Sequence, residues 1–365
     1  MNEKISKTLI LIPDLNLPGG VANYYNTLNL QTHENINYFT INIAKPQSVF
    51  ATILRLITNY FKFFYIIIRD RYELIQINPS LDWKSFYRDS VFILIARMLN
   101  RKTLVFFRGW LDTYEKKIKK SKLKSFLFRC SYAKANRYIV LSSLFKKKLI
   151  ELGVPPETEF FIETTVADSS YLNELNLENK YFSFKKKIIF LFLSKIEKAK
   201  GIYIAIDAYH NFLAKCPEKI SCLIIAGNGP ELPAVKNYVG QLNIPNIIFL
   251  GYINGEKKKR VLLESHIMLF PSYTEGLPNS ILEGMLYGMP IISRVTGGIP
   301  DIIQQNVNGY LSESFQPSVY SDFLSVLASD YQLYMQMAEK NHHIASEKYT
   351  TEKVRERILK IYEKP

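Results

Sequence analysis

The sequence is short of cysteine and histidine. Its three cysteines, Cys130, Cys216 and Cys222, show neither a pairing pattern nor metal-ligand spacing, and the five histidines (His33, His210, His266, His342, His343) do not cluster with them. A disulfide framework and a zinc site are therefore not expected, no metal is assigned, and the free thiols fit a reducing cytoplasm. Long apolar runs are also scarce. The greasiest stretch, ILRLITNYFKFFYIIIRDRY (53–72), is interrupted by Arg55, Lys62 and Arg69, so no window offers the ~20 clean apolar residues that span a bilayer. The opening MNEKISKTLILIPDL has only a short apolar run before Pro13 and lacks the small-residue cleavage site of a secretory signal. A soluble or peripheral protein is the expectation. Internal repeats and low-complexity segments are absent as well.

What is present in excess is positive charge. The net charge is +14, and it is unevenly placed. Residues 1–180 hold 26 Lys and Arg against 16 Asp and Glu, a net +10, whereas residues 181–365 hold 21 against 17, a net +4. The first half thus suits an anionic partner: a lipid surface, a lipid-linked phosphate or nucleic acid. Within it, YEKKIKKSKLKSFLFR (114–129) has seven basic residues and one acid, and Leu123, Phe126, Leu127 and Cys130 recur at helical spacing. That pattern reads either as a basic amphipathic helix on a membrane or as a solvated face over core. No recognised motif supports nucleic acid.

At 365 residues the chain is longer than one core usually grows to, so two domains are expected. Short β-branched and aromatic runs recur: residues 7–13, 36–44, 72–80, 102–109, 137–143 and 159–166, then 188–195, 221–227, 246–252, 266–272 and 289–295. Each is near-continuously apolar, as strands buried on both faces of a parallel sheet are, and each is followed by room for a helix. Two such sets imply an α/β protein of two Rossmann-like domains: 1–170, a linker at 171–187, then 188–345. A C-terminal helix over 346–365 can pack back on the first domain. In it Val354, Ile358 and Ile361 share a face, with Thr350 or Thr351 as cap and Glu352 in the first turn.

In parallel sheets, ligands bind where strands give way to helices. The first such loop contains Gly19-Gly20, which lets backbone N–H groups approach an anion at a helix start; an ordinary turn reads the same way. The loop after the first strand of the second set carries Lys195 and Lys200 ahead of Gly201. Lysines at a helix N-terminus oppose the macrodipole, and a diphosphate would offset that. IIAGNGPE (224–231), with Gly227 and Gly229, is a further glycine-rich exit that could equally be a turn. Finally TEGLPNSILE (274–283) sets Glu275 ahead of Pro278 and Glu283 inside the helix that starts there. As continuous helix the two would lie ~12 Å apart, against the ~5–5.5 Å of a retaining glycosidase pair. Two glutamates at different depths instead suit two sugar rings, each carboxylate accepting from adjacent hydroxyls.

Together these residues resemble family 4 of the nucleotide-sugar-dependent glycosyltransferases, which have the GT-B fold. The hallmark E-x7-E corresponds to Glu275 and Glu283, the basic pair before a glycine to Lys195 and Lys200, the Gly-Gly loop to Gly19-Gly20, and GGIPDIIQQNVNGYL (297–311) to the block that follows the glutamates. The resemblance implies two sheets facing across an interdomain cleft and a retaining transfer from a nucleotide diphosphate sugar, UDP or GDP, with neither metal nor cofactor; the chain has no D-x-D. It implies that Glu275 contacts the donor sugar, Glu283 the ribose, and Lys195 and Lys200 the diphosphate. The backbone of Gly276, Leu277 and Pro278 lines the sugar pocket, and Gly19, Gly20, Gly227 and Gly229 belong to the donor site. The leaving phosphate would take the acceptor's proton on the sugar's front face. Two positions depart from the pattern: Arg108 stands where many members have a histidine, and Lys195 where arginine is usual. Arginine cannot be a general base but can bind a diphosphate or an acidic acceptor. The acceptor implied on the basic N-terminal side is a glycan or a polyprenyl-diphosphate-linked glycan of a surface polysaccharide such as a capsule, exopolysaccharide or O-antigen. The protein would be cytoplasmic or peripheral on the inner membrane. A sugar-nucleotide epimerase and a non-catalytic sugar-nucleotide binder are the competing readings.

Overall fold

The computed structural model describes residues 5–17, 19–42, 48–170 and 172–363. Residues 43–44 of the second expected strand and 364–365 of the expected C-terminal helix lie outside them. The chain divides into two compact units, residues 1–164 with 351–365, and residues 165–350.

The first unit contains β1 (Thr8–Pro13), β2 (Ile36–Asn42), β3 (Leu74–Ile77), β4 (Ser80–Leu81), β5 (Lys102–Phe107), β6 (Gly109–Trp110), β7 (Arg137–Val140) and β8 (Glu159–Ile162). Six of them form one sheet in the order β2-β1-β3-β5-β7-β8, and β4 with β6 make a small separate pair. The two-residue β4 and β6 are too short to leave a pattern in the sequence. The final helix Thr351–Glu363 belongs to this unit, buries Val354, Ile358 and Ile361, and receives a hydrogen bond from Ser6 N to Tyr362 O of 3.1 Å. The Lys-rich segment breaks at Ser121 into helices Asp112–Lys120 and Lys122–Cys130, with Ser121 capping the second. Leu123 and Phe126 stay exposed, so the expected apolar stripe is not a core face. Phe128 enters the core instead, stacked on Tyr132.

The second unit contains β9 (Ile188–Leu193), β10 (Ser221–Ala226), β11 (Ile247–Gly251), β12 (Ile267–Phe270), β13 (Ile291–Arg294) and β14 (Gly309–Ser312), in the order β11-β10-β9-β12-β13-β14. Every pairing in both large sheets is parallel. Parallel strands buried on both faces explain the continuous apolar runs; Phe190, Phe192, Leu223, Ile225, Leu269 and Ile292 form one core. Residues 177–186, read as linker, fold as a helix capped by Asn176, and its Phe184 stacks on Tyr334 at 3.8 Å. The sequence hid it because its polar residues outnumber its two core anchors, Tyr181 and Phe184.

The strand order of the second unit reverses between β9 and β12. In an open parallel sheet that reversal opens a crevice at the strands' carboxyl ends. The loops leaving β9 and β12 are the ones that carry Lys195 to Gly201 and Ser272 to Pro278.

Candidate functional site

At that crevice the structure brings two of the expected residues together. Lys200 Nζ donates to Glu275 Oε1 at 2.7 Å, and Ser272 Oγ donates to the same oxygen at 2.8 Å. The Glu275 side chain is only 9 % exposed. The two loops are tied by their backbones as well, since Tyr273 N donates to Ala199 O at 2.9 Å. One used donor leaves the Lys200 ammonium two more for a phosphate oxygen.

The backbone after Glu275 is held by the next loop. Gly298 N donates to Gly276 O at 2.6 Å, and Gly297 adopts φ +55° where an added Cβ would lie 2.2 Å from Glu275 O. Only glycine fits there, so the glycine pair fixes the carboxylate-bearing loop. Leu277 is buried and its carbonyl accepts from Thr165 Oγ1 at 3.2 Å. Pro278 stands just before the helix Asn279–Leu286, one position earlier than expected.

Glu283 lies inside that helix, buried, and separate from Glu275. Its partner is Lys258, whose Nζ donates to Glu283 Oε1 at 2.6 Å. Burial pushes the Glu283 carboxyl up, and the Lys258 ammonium opposes this. The two glutamates therefore have two different lysines and do not share a proton-transfer pair. Lys258 was not singled out from the sequence, although the run NGEKKKR at the start of a helix after β11 repeats the strand-exit pattern that marked Lys195 and Lys200.

Lys195 is not brought into this cluster. Its side chain is 74 % exposed and its partner is Glu197 at 3.3 Å. Gly227 and Gly229 fold against the exit of β9, with Ile196 N donating to Asn228 O at 3.1 Å. A Cβ on Gly227, at φ +147°, would meet Ser194 O at 1.7 Å, so this glycine exit is a close backbone contact between two loops rather than a free turn.

A second missed lysine holds the site's helices. Lys180 is fully buried and donates to Leu262 O at 3.0 Å and Tyr287 O at 2.6 Å. These carbonyls end the helices Gly255–Glu264 and Asn279–Leu286, which carry Lys258 and Glu283. A buried ammonium at two helix C-termini pins them where their dipoles favour it. Burial pulls Lys180 down from 10.5 to about 7, and burial, with Lys180 nearby, pulls His266 from 6.5 to about 3. His266 Nδ1 accepts from Ile189 N at 3.0 Å while Nε2 lies 2.8 Å from Ser183 Oγ. Both groups are cationic in the unfolded chain at pH values where the fold keeps them neutral. The unfolded state then binds more protons, and stability rises with pH across each window. His266 is expected to withdraw ~1.4 kcal/mol per pH unit as pH falls from about 6.5 towards about 3. Melting temperature measured against pH should show a shallower acid slope in His266→Asn, whose amide oxygen can accept from Ile189 N; an unchanged slope would remove His266 from this account.

The remaining expected residues lie in the first unit. Gly20 opens the helix Gly20–Leu28, and an added Cβ at Gly19 or Gly20 would meet nothing within 4 Å. Space therefore does not force glycine at either position. Arg108 follows β5, and its guanidinium lies 4.0 Å from the ring centre of Tyr24, on the same helix, and 4.4 Å from that of Phe106. Its Nε and Nη1 are buried with no hydrogen-bond partner among the described residues. Burial pushes the Tyr24 hydroxyl well up, so it stays neutral beside the cation.

The fold is GT-B: an α/β chain with two Rossmann-like parallel sheets. Over 97 % of this chain and 99 % of theirs, it superimposes on HepE of Anabaena in complex with UDP (TM-score 0.74, 17 % identity). It also matches sucrose-phosphate synthase of Thermosynechococcus elongatus (TM-score 0.75, 15 % identity, 98 % of each chain). Residues 174–343 match the family model described as glycosyl transferases group 1. Sequence relatives include N-acetyl-alpha-D-glucosaminyl L-malate synthase of Bacillus anthracis, 28 % identical over 51 % of this chain and 48 % of that protein. Another is the amylovoran biosynthesis glycosyltransferase AmsK of Erwinia amylovora, 26 % identical over 50 % and 44 %. The chain spans about half the length of these curated relatives.

Proposed function

We propose that this chain is a glycosyltransferase that moves a sugar, with retention of configuration, from a nucleotide diphosphate sugar to a glycan or polyprenyl-diphosphate-linked acceptor in surface polysaccharide synthesis. The observation that carries the reading is the half-buried Glu275–Lys200 pair at the sheet's reversal point, inside the segment that matches the group 1 model. In this reading Glu275 and the backbone of Gly276 to Pro278 grip the donor sugar. Glu283 accepts from the ribose hydroxyls, and Lys200 meets the diphosphate, which Lys195 would join by turning from Glu197. Charge developing on the leaving diphosphate falls to preorganised ammonium groups and helix N-termini, and one of its oxygens takes the acceptor's proton. No metal or cofactor is assigned a step. The open donors of Arg108 suit an anionic group on donor or acceptor. A UDP-sugar is the first donor to try, given the UDP complex of HepE, and the name of AmsK supports a polysaccharide product. A lipid-linked acceptor would place the work at a membrane surface, where the positive first half of the chain would be attracted.

A panel of UDP-, GDP- and ADP-sugars in a thermal-shift assay tests the donor. A cognate sugar nucleotide at a hundred times its Kd should stabilise by ~2.7 kcal/mol. Lys200→Ala should weaken that donor at least roughly tenfold, because it removes a charge-assisted contact. No shift with any sugar nucleotide would sink the reading. Epimerised sugar nucleotide appearing without acceptor would replace transfer with epimerisation.

A further inference from the structure

The helix Val49–Asp70, capped by Ser48, is fixed to the first unit by one side only. Phe63 and Ile67 are fully buried, with Phe63 against Phe39 and Phe92, and Tyr60 Oη donates to Arg88 O at 3.2 Å. The opposite side is open. Phe50, Ile53, Ile57, Phe61, Phe64 and Ile68 recur every third or fourth residue and are all exposed, Phe50 by 76 % and Phe61 by 72 %. At 1.5 Å per residue this stripe runs ~27 Å along the helix. Arg55, Lys62 and Arg69 are spaced by seven, so they form a single row, which at 3.6 residues per turn lies roughly 120–160° round the helix from the stripe's centre, beyond the exposed Leu54 and Tyr65. Asp70 is the helix's only acid and is bound to Arg69 at 2.7 Å.

We propose that this helix lies in the plane of an anionic lipid surface, its apolar stripe among the acyl chains and its cation row at the headgroups. Against the expectation drawn from its three interrupting cations, the helix is by length and composition long and apolar enough to cross a bilayer. The row of three cations and the anchored inner face oppose that, since spanning would put Arg55 and Lys62 in hydrocarbon. A second copy of the chain is a poorer occupant: it would bring its own cation row and its own net charge of +14 against the first. An anionic bilayer matches both the stripe and the row, and the net +10 of residues 1–180 adds to the attraction. The inference rests on the proposed function only for why a membrane matters, because lipid binding needs no turnover.

Flotation of the full chain with phosphatidylglycerol–phosphatidylcholine vesicles, and with phosphatidylcholine alone, tests it. Binding should be strong on the anionic vesicles, fall with salt, and drop at least roughly tenfold in Ile57→Asp/Phe61→Asp. In Arg55→Gln/Lys62→Gln/Arg69→Gln it should drop about a hundredfold. Ile57, Phe61, Lys62 and Arg69 are exposed and Arg55 is half-buried, and donor thermal shifts in the same variants report whether fold and donor site survive. No binding by the wild-type chain, or unchanged binding by the stripe variant, overturns the proposal. So does resistance of vesicle-bound protein to alkaline carbonate, which would mean a span, or a vesicle-free dimer that the stripe variant dissociates.

Discussion

Glu275→Gln is expected to lower sugar transfer about a thousandfold while leaving the melting temperature of the second unit close to that of the native chain. The amide has nearly the same shape and can still accept from Ser272 Oγ, which lies 2.8 Å from Oε1. What it loses is the negative charge that holds the Lys200 ammonium at 2.7 Å. That charge has two jobs in the proposed chemistry. It keeps Lys200 at the reversal point of the sheet, where a diphosphate would leave, and it accepts strongly from donor-sugar hydroxyls as positive charge builds at the anomeric carbon. Both effects are larger in the transition state than in the bound donor, so kcat should fall more than donor affinity does. Donor Kd by thermal shift and single-turnover rates would separate the two. Glu275→Gln turning over at the native rate would refute the assignment of Glu275. A collapse of donor affinity with kcat intact would make it a binding residue only.

The comparison between sequence and structure divides along a physical line. Strands that are apolar on both faces announce themselves, and the eleven runs read from the sequence each coincide with a parallel strand. What sits at strand exits was also legible: Glu275 and Lys200 were singled out for position, and a 2.7 Å contact joins them across 75 residues. Lys195 had the same positional credentials, yet it points to solvent beside Glu197. A residue's place in a loop does not say which way its side chain turns. Lys258 and Lys180 were illegible for the converse reason. Each looks like one more surface lysine until the chain brings Lys258 to Glu283 and Lys180 to the carbonyls of Leu262 and Tyr287. The helix Val49–Asp70 shows the same limit on a larger scale. Its composition is that of a core or membrane helix, and only the packed sheet reveals which face is left open.

The second large effect belongs to Lys258. Lys258→Met should destabilise the second unit by about 3 kcal/mol, because it strips the partner from a carboxylate inside the fold. The Glu283 side chain is 6 % exposed and its only ammonium partner among the described residues is Lys258, at 2.6 Å. For a unit of this size the melting temperature would fall by roughly 6–12 °C. Adding Glu283→Gln in the same chain should restore most of that loss, since an amide needs no counter-charge. The coupling between the two sites is then the signature of the pair. The sign with pH is fixed. Burial already holds the Glu283 carboxyl above its ordinary 4.5, and without Lys258 it should rise further. The folded variant then takes up a proton that the unfolded chain gives away. Its deficit against the native chain should therefore be small at and below about pH 4.5 and widen as pH rises. A deficit independent of pH, or a double variant no more stable than Lys258→Met alone, would mean that Lys258 acts through its aliphatic stem. In that case the ribose-binding role proposed for Glu283 would have to stand on donor affinity alone, measured in Glu283→Gln, which keeps the helix and removes the charge.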